Sequence, residues 1–311
     1  MGLLFMKPYC KEVLWGGTLL KERYGYETDG DHTGEAWVVA ANPHGESVVI
    51  NGKYKGCSLT SLWNDHRELF NNIEGDQFPL LVKLIDARDN LSIQVHPDDD
   101  YADKYENGSK GKTECWYIVD CESDADIVIG HKAKTKEELT ELVKAGKWDE
   151  LLNVIPIHKG DFFFIPSGTV HAIKKGTLIL ETQQNSDITY RLYDYDRLQN
   201  GKPRELHTEK SLDVIRCPQT NEDTRKEVVS EKGVESQVLA ECLLFTVTKY
   251  VMDGSHDINI KNDHPFLIVN ILEGEGSING TPIKPGDNFI ADCNEHNLAF
   301  AGKITFITSN I

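Results

Sequence analysis

Residues 160–171 read Gly160-Asp161-Phe162-Phe163-Phe164-Ile165-Pro166-Ser167-Gly168-Thr169-Val170-His171, and the fold is read outward from them. Gly160 permits a turn into a strand, because a residue without a Cβ adopts positive φ at little cost. Four apolar residues follow, the length and composition of a short buried strand. Pro166 and Gly168 then supply a sharp turn. The chain returns and delivers His171 to the end of the layer it has just left. A lone histidine is more often a satisfied core residue than a ligand. Here it follows a turn of long and restrictive spacing.

On both sides of this stretch the chain continues as short strands separated by Gly, Pro, Asn and Asp. They are expected at 36–40, 47–50, 81–85, 92–95, 115–119, 127–129, 161–165, 177–182 and 188–193, a spacing that predicts a sandwich or barrel. Three segments carry helical signals. Residues 58–70 place Leu59, Leu62, Trp63, Leu69 and Phe70 on one face. Residues 97–105 open with Pro and three Asp, acid at the positive end of a helix dipole. Residues 135–152 begin with a Thr135/Glu138 capping box and form a small helical insertion. The polar run PQTNEDTRKEVVSEKG from Pro218 divides the chain. The expected organisation is a first domain over 1–217, a linker over 218–234 and a second β-barrel over 235–311. Gly286-Asp287-Asn288-Phe289-Ile290-Ala291-Asp292 echoes residues 160–166, but the place of His171 is taken by Asn297 and His296 falls one residue early. A one-residue offset on a strand turns a side chain to the other face, so chemistry is expected in the first barrel alone.

Composition narrows the partners. The formal net charge is −17, which opposes nucleic acid and anionic membranes. A phosphorylated substrate would need a few local Lys or Arg to overcome that field. Seven scattered cysteines without a C-x-x-C pair argue against a disulfide framework or a thiolate zinc site, and for a reducing compartment. The first six residues fit neither a signal peptide nor a myristoylation pattern, and no run is long enough for a membrane span. A cytoplasmic location is expected.

Two further stretches point to the same place as His171. In Leu91-Ser92-Ile93-Gln94-Val95-His96-Pro97, a strand period of two puts Ser92, Gln94 and His96 on one face and Ile93 and Val95 on the other. Alone, this would suit the solvent face of an edge strand. In Lys112-Thr113-Glu114-Cys115-Trp116-Tyr117-Ile118, the face Lys112, Glu114, Trp116, Ile118 runs from charged to apolar, as in a strand entering a barrel from its wet mouth. A surface pair of Lys112 and Glu114 would be worth little. Two imidazoles, a carboxylate and an amide suit zinc, and equally Fe(II), Mn or Co. Gly111-Lys112-Thr113 resembles the end of a phosphate-binding Walker loop, but the earlier glycine is missing, Glu106 standing in its place, and a strand follows rather than a helix.

Gly160-x5-Pro166-x-Gly168-x-x-His171 matches the second cupin motif through its histidine. With FPLLVKLIDARDNLSIQVHPDD (78–99), GKTECWYI (111–118), GDFFFIPSGTVHAI (160–173), QNSDITYRLYDYDR (184–197), Trp15-Gly16-Gly17 and Gly34-Glu35-Ala36-Trp37, the first domain resembles the type I phosphomannose isomerases, in their short bacterial form. The resemblance implies a mainly β fold of two cupin-like jelly-roll barrels. It implies one zinc ion per chain with Gln94, His96, Glu114 and His171 as ligands, Gln94 being replaceable by water. Arg191 matches the active-site arginine, and Ser92 and Lys112 match positions lining the substrate pocket. The implied reaction interconverts mannose 6-phosphate and fructose 6-phosphate through an enediol, in a monomer or weak homodimer. Arg191 is expected to hold phosphate or an oxyanion, the alternative being an ion pair with Asp187, Asp194 or Asp196. Lys112, beside a metal, is expected to have a depressed pKa and to shuttle protons or bind phosphate. Two other classes share such a centre: Fe(II) oxygenases and sugar-phosphate sensors without turnover.

Overall fold

The computed structural model describes residues 2–199, 201–221 and 223–311. It is mainly β, as expected. In the first region a six-stranded sheet runs in spatial order Phe162–Ile165, Glu114–Cys121, Thr177–Gln184, Leu80–Ala87, Tyr9–Gly17, Thr33–Val39. A five-stranded sheet runs Leu152–Pro156, Asp126–His131, His171–Ile173, Ile93–Val95, Tyr190–Tyr193. All neighbouring pairs in both sheets are antiparallel. Trp116, Ile118, Ile165 and Ile179 of the six-stranded sheet share one core with Ile127, Ile129 and Ile173 of the five-stranded sheet. The two sheets therefore pack face to face, each burying one side of its alternation.

The helical signals fold locally for the reasons their sequences give. Ser58 caps the Leu59–Asp65 helix by accepting from the Ser61 amide, and Asp98 caps the Asp99–Tyr105 helix by accepting from Tyr101. The 135–152 insertion forms two helices, Lys136–Lys144 and Trp148–Leu151, between adjacent strands of the five-stranded sheet. Thr135 accepts from the Glu138 amide, but Glu138 reaches back to the Lys134 amide rather than to that of Thr135.

The other face of the six-stranded sheet is also covered. Val82, Leu84, Cys115, Tyr117, Leu178 and Leu180 share a core with Phe245, Phe266, Ile268, Ile290 and Ile307 of the C-terminal region. Phe78 and Phe266 meet with ring centroids 4.7 Å apart across this seam. The C-terminal strands join a ten-stranded sheet that also takes in the N-terminus: Leu3, Leu4 and Phe5 pair with Ala291, Ile290 and Phe289. Residues 3–7 thus lie in the sheet of the C-terminal region although they stand at the head of the chain. Within 218–234, Val229–Glu231 forms an edge strand against Val234–Ser236. The internal echo is a real structural repeat. Gly160 and Gly286 both have positive φ (94° and 88°). The side chains of Asp161 and Asp287 each accept from the amide three residues earlier. Asn297, in the place of His171, is exposed at the start of a long strand.

Candidate metal centre

Backbone register brings the separated motifs together. His171 pairs with Gln94, and Gln94 with Arg191, so these three form one row across three adjacent strands. Glu114 comes from the facing sheet, where its even-numbered face continues into Trp116 and Ile118 of the intersheet core. Pro166–Gly168 lead back to His171, and the Gly168 amide donates to the His96 carbonyl at 2.8 Å. This bond ties the two histidine-bearing segments to each other.

His96, Glu114 and His171 are all buried, and their ligand atoms lie within 4.8 Å of one another. Nε2 of His171 is 3.1 Å from Nε2 of His96 and 3.3 Å from Glu114 Oε1, and His96 Nε2 is 3.5 Å from Glu114 Oε2. The tautomers follow from the outer partners. His96 Nδ1 is 2.7 Å from the Ile188 carbonyl and His171 Nδ1 is 2.9 Å from that of Thr169. A carbonyl only accepts, so each Nδ1 is the donor and each Nε2 turns a lone pair to the centre. Among the described residues Glu114 Oε1 has no donor, and Oε2 meets only the Lys112 ammonium, at 2.7 Å. Two imidazole lone pairs and a buried carboxylate thus converge with too few donors, an arrangement that fits a cation. Gln94 lies beside them, its terminal amide 3.3 Å from His171 Nε2. Rotating that amide by half a turn would present its oxygen instead.

Burial holds the His171 imidazole down to about 4 and the His96 imidazole well below its usual range. Both stay neutral, as ligands must be, at neutral pH. Lys112 Nζ sits 2.7 Å from Glu114 Oε2 and 3.2 Å from His96 Nε2. The expected depression of Lys112 is not what the protein groups produce. Burial lowers it, but the Glu114 and Glu181 carboxylates outweigh burial and push it up to about 12.

Adjoining the centre at Gln94 and Lys112, a cavity of about 480 Å³ is lined also by Ser92, Arg191, Trp15 and Trp37, among others. Every pocket residue expected from sequence therefore reaches one cavity. Arg191 forms no ion pair with Asp187, Asp194 or Asp196 among the described residues. Asp194 instead accepts from Arg197 and Arg204, and Asp187 meets His44. Arg191 Nη1 donates to the Glu205 carbonyl at 2.9 Å, while its buried Nε has no partner among the described residues. Thr189 and Arg191 share the cavity wall, but Tyr193 leaves it. A register shift between Arg191 and Tyr193 turns the Tyr193 ring to stack on Trp148 at 4.7 Å.

Sequence reasoning missed a second row of charges. Trp37, Lys83, Glu181 and Trp116 lie side by side across four strands of the six-stranded sheet. Lys83 is 3.3 Å from Glu181 Oε1, the Trp116 indole donates to Glu181 Oε2 at 3.0 Å, and Lys112 stands 3.9 Å from Glu181. The available signal was a charge set against apolar neighbours in each strand, Lys83 within LLVKLI and Glu181 directly after LIL. A lone charge in a strand buried on both faces requires a partner.

The turn that carries His171 supplies a test of the scaffold. Gly168 has φ +80°, and a Cβ there would lie 2.8 Å from the Val214 carbonyl. Gly168→Ala is expected to cost about 1–3 kcal/mol of stability and to weaken metal binding through displacement of His171. Thermal unfolding and metal content check both, and unchanged values for the pair would show that the turn tolerates a side chain.

The fold and the buried centre are those of a cupin protein with a candidate metal site. Residues 3–113 match the family described as phosphomannose isomerase type I, catalytic domain, and residues 235–311 match mannose-6-phosphate isomerase, cupin domain. The chain is 52% identical over 295 residues to the mannose-6-phosphate isomerase ManA of Bacillus subtilis, covering 92% of each chain. It is 44% identical to the mannose-6-phosphate isomerase of Streptococcus mutans, over 99% of this chain and 98% of that one. A crystal structure of mannose 6-phosphate isomerase from Bacillus subtilis superposes with a TM-score of 0.97 at 45% identity, covering 100% of both chains. The chain belongs to the type I phosphomannose isomerase family, a metal-dependent family of aldose–ketose isomerases.

Proposed function

We propose that this chain interconverts mannose 6-phosphate and fructose 6-phosphate with one zinc ion held by His96, Glu114, His171 and the Gln94 side-chain oxygen. The observation that carries the reading is the buried convergence of two Nε2 lone pairs and a carboxylate, joined through Gln94 and Lys112 to a cavity that is also lined by Arg191. Zinc bound there would polarise the sugar carbonyl and stabilise negative charge on its oxygens.

The reaction moves a proton from C2 of the aldose to C1 of the ketose through an enediol, with matching proton transfers at O1 and O2. In this reading the chain's own groups position the sugar. Arg191 holds the phosphoryl group, since a guanidinium offers paired donors to such an anion. Its strand lies two strands from that of His171, a separation of about 10 Å at strand spacing. That distance lets one sugar phosphate engage the arginine at one end and the centre at the other. Ser92 and Lys112 donate to sugar oxygens between them, and Trp15 and Trp37 exclude water from the wall.

The cavity and the ligand set are completed within one chain, which supports action as a monomer or weak homodimer. All seven cysteines are free thiols, and among the described residues no helix is long and apolar enough to cross a membrane. Both support a cytoplasmic setting. The test is a coupled assay for fructose 6-phosphate formation with zinc-loaded protein. Turnover is expected, with loss on chelation and recovery on adding zinc back. Oxygen uptake on Fe(II) loading without isomerisation would replace the reading with an oxygenase. Sugar-phosphate binding without either activity would make the protein a sensor.

A further inference from the structure

We propose that Arg204 is a second guanidinium of the phosphate subsite, beside Arg191, and that Asp194 is the positioning residue that holds it there. The proposal rests on the sugar-phosphate reading above and adds residues that reading does not use.

Arg204 lines the same cavity as Arg191, Gln94 and Lys112. Its segment is pinned to Arg191 by three hydrogen bonds. Arg191 Nη1 donates to the Glu205 carbonyl at 2.9 Å, the His207 amide donates to the Arg191 carbonyl at 2.7 Å, and the Arg191 amide donates to His207 Nδ1 at 3.1 Å. The side chain is pinned as well. Arg204 Nε donates to Asp194 Oδ2 at 2.8 Å and Nη2 donates to Oδ1. This two-point grip fixes the plane of the guanidinium. Its Nη1 makes no hydrogen bond among the described residues.

The charge balance of the cluster is positive. Three guanidiniums, of Arg191, Arg197 and Arg204, stand against two carboxylates: Asp194, which accepts from Arg204 and from Arg197 Nη2 at 2.7 Å, and Asp89, 3.5 Å from Arg197. Arg191 has no acidic partner among the described residues, and its buried Nε has no acceptor. Burial and the nearby Arg204 charge together pull Arg191 below its usual range. Two cations held close by backbone and by Asp194 repel each other. A dianion between them would relieve that repulsion and take up the free donors. In a chain of net charge −17, such a local excess of positive charge marks the place where the protein can accept a phosphoryl group rather than a neutral sugar end.

The test compares Arg204→Gln, Arg204→Lys and Asp194→Asn with the wild type. It uses steady-state kinetics on mannose 6-phosphate and inorganic phosphate as a competitive inhibitor, and reads metal content and thermal unfolding alongside. For Arg204→Gln, KM and the phosphate inhibition constant are expected to rise together by about tenfold or more, the effect of losing a charge-assisted hydrogen bond. The effect on KM should exceed that on kcat, with metal retained. Arg204→Lys should fall between the two, and Asp194→Asn should weaken phosphate through a loosened Arg204. Constants within twofold of wild type, or a loss confined to kcat, would overturn the proposal. If Arg204→Gln does not fold, Arg204→Lys carries the test by the same two constants. Calorimetric binding of inorganic phosphate separates this proposal from the reading it rests on. If the wild type shows no turnover but Arg204→Gln still weakens phosphate, the subsite stands and the isomerase reading fails.

Discussion

His171→Ala is expected to empty the centre of metal and abolish isomerisation while leaving the chain folded. His171 Nε2 is the atom closest to both other ligands, 3.1 Å from His96 and 3.3 Å from Glu114. Removing it leaves one imidazole and one carboxylate, with Gln94 as a weak neutral donor. Loss of an outer partner of a metal ligand already costs about 10–100-fold in affinity, and loss of the ligand itself should exceed that. The imidazole is fully buried and packs edge-on against Trp116 at 5.4 Å. Its removal should also cost about 2–4 kcal/mol of packing, partly offset by relief of three acceptors crowded together. Metal per chain by atomic absorption, with circular dichroism for folding, reads the outcome. Full zinc occupancy in a folded variant would sink the ligand assignment.

Arg191→Ala is expected to leave the metal in place and cut kcat/KM by about 100-fold or more, the loss of a two-point charge-assisted contact. The guanidinium touches none of the three buried ligands. It sits on the cavity wall with one bond to a backbone carbonyl and a buried Nε that has no acceptor among the described residues. A structural role would have required an acidic partner, and the nearby carboxylate of Asp194 is given to Arg197 and Arg204. Unchanged metal content with severely reduced turnover is the predicted pair of results. Near-wild-type kinetics would remove Arg191 from the site.

Much of the centre was legible before folding because its ligands announce themselves by local rules. Ser92, Gln94 and His96 share a face because a strand alternates, and Glu114 shares one with Trp116 and Ile118 for the same reason. Gly160, Pro166 and Gly168 mark turns through backbone sterics alone. The repeat at Gly286 and its missing histidine were equally readable, because a turn and an offset are local facts. Strict alternation would put Tyr193 on the face of Thr189 and Arg191, but the bulge between Arg191 and Tyr193 breaks it, and bulges depend on the partner strand.

The pattern of residue types established a mainly β chain, a metal cup built from three separated motifs, and a second copy of the turn without ligands. Pairing between distant strands supplied the rest. It set Lys83 beside Glu181, placed Leu3–Lys7 in the sheet of the C-terminal region, committed Asp194 to Arg197 and Arg204, and so left Arg191 without an acidic partner among the described residues. The physical reason is one of range. Alternation, turns and caps act over a few residues and are written in sequence spacing. The partner of a buried charge is chosen by which strands lie side by side. That choice depends on burying both faces of the Leu80–Ala87 sheet at once, a condition that no single segment carries.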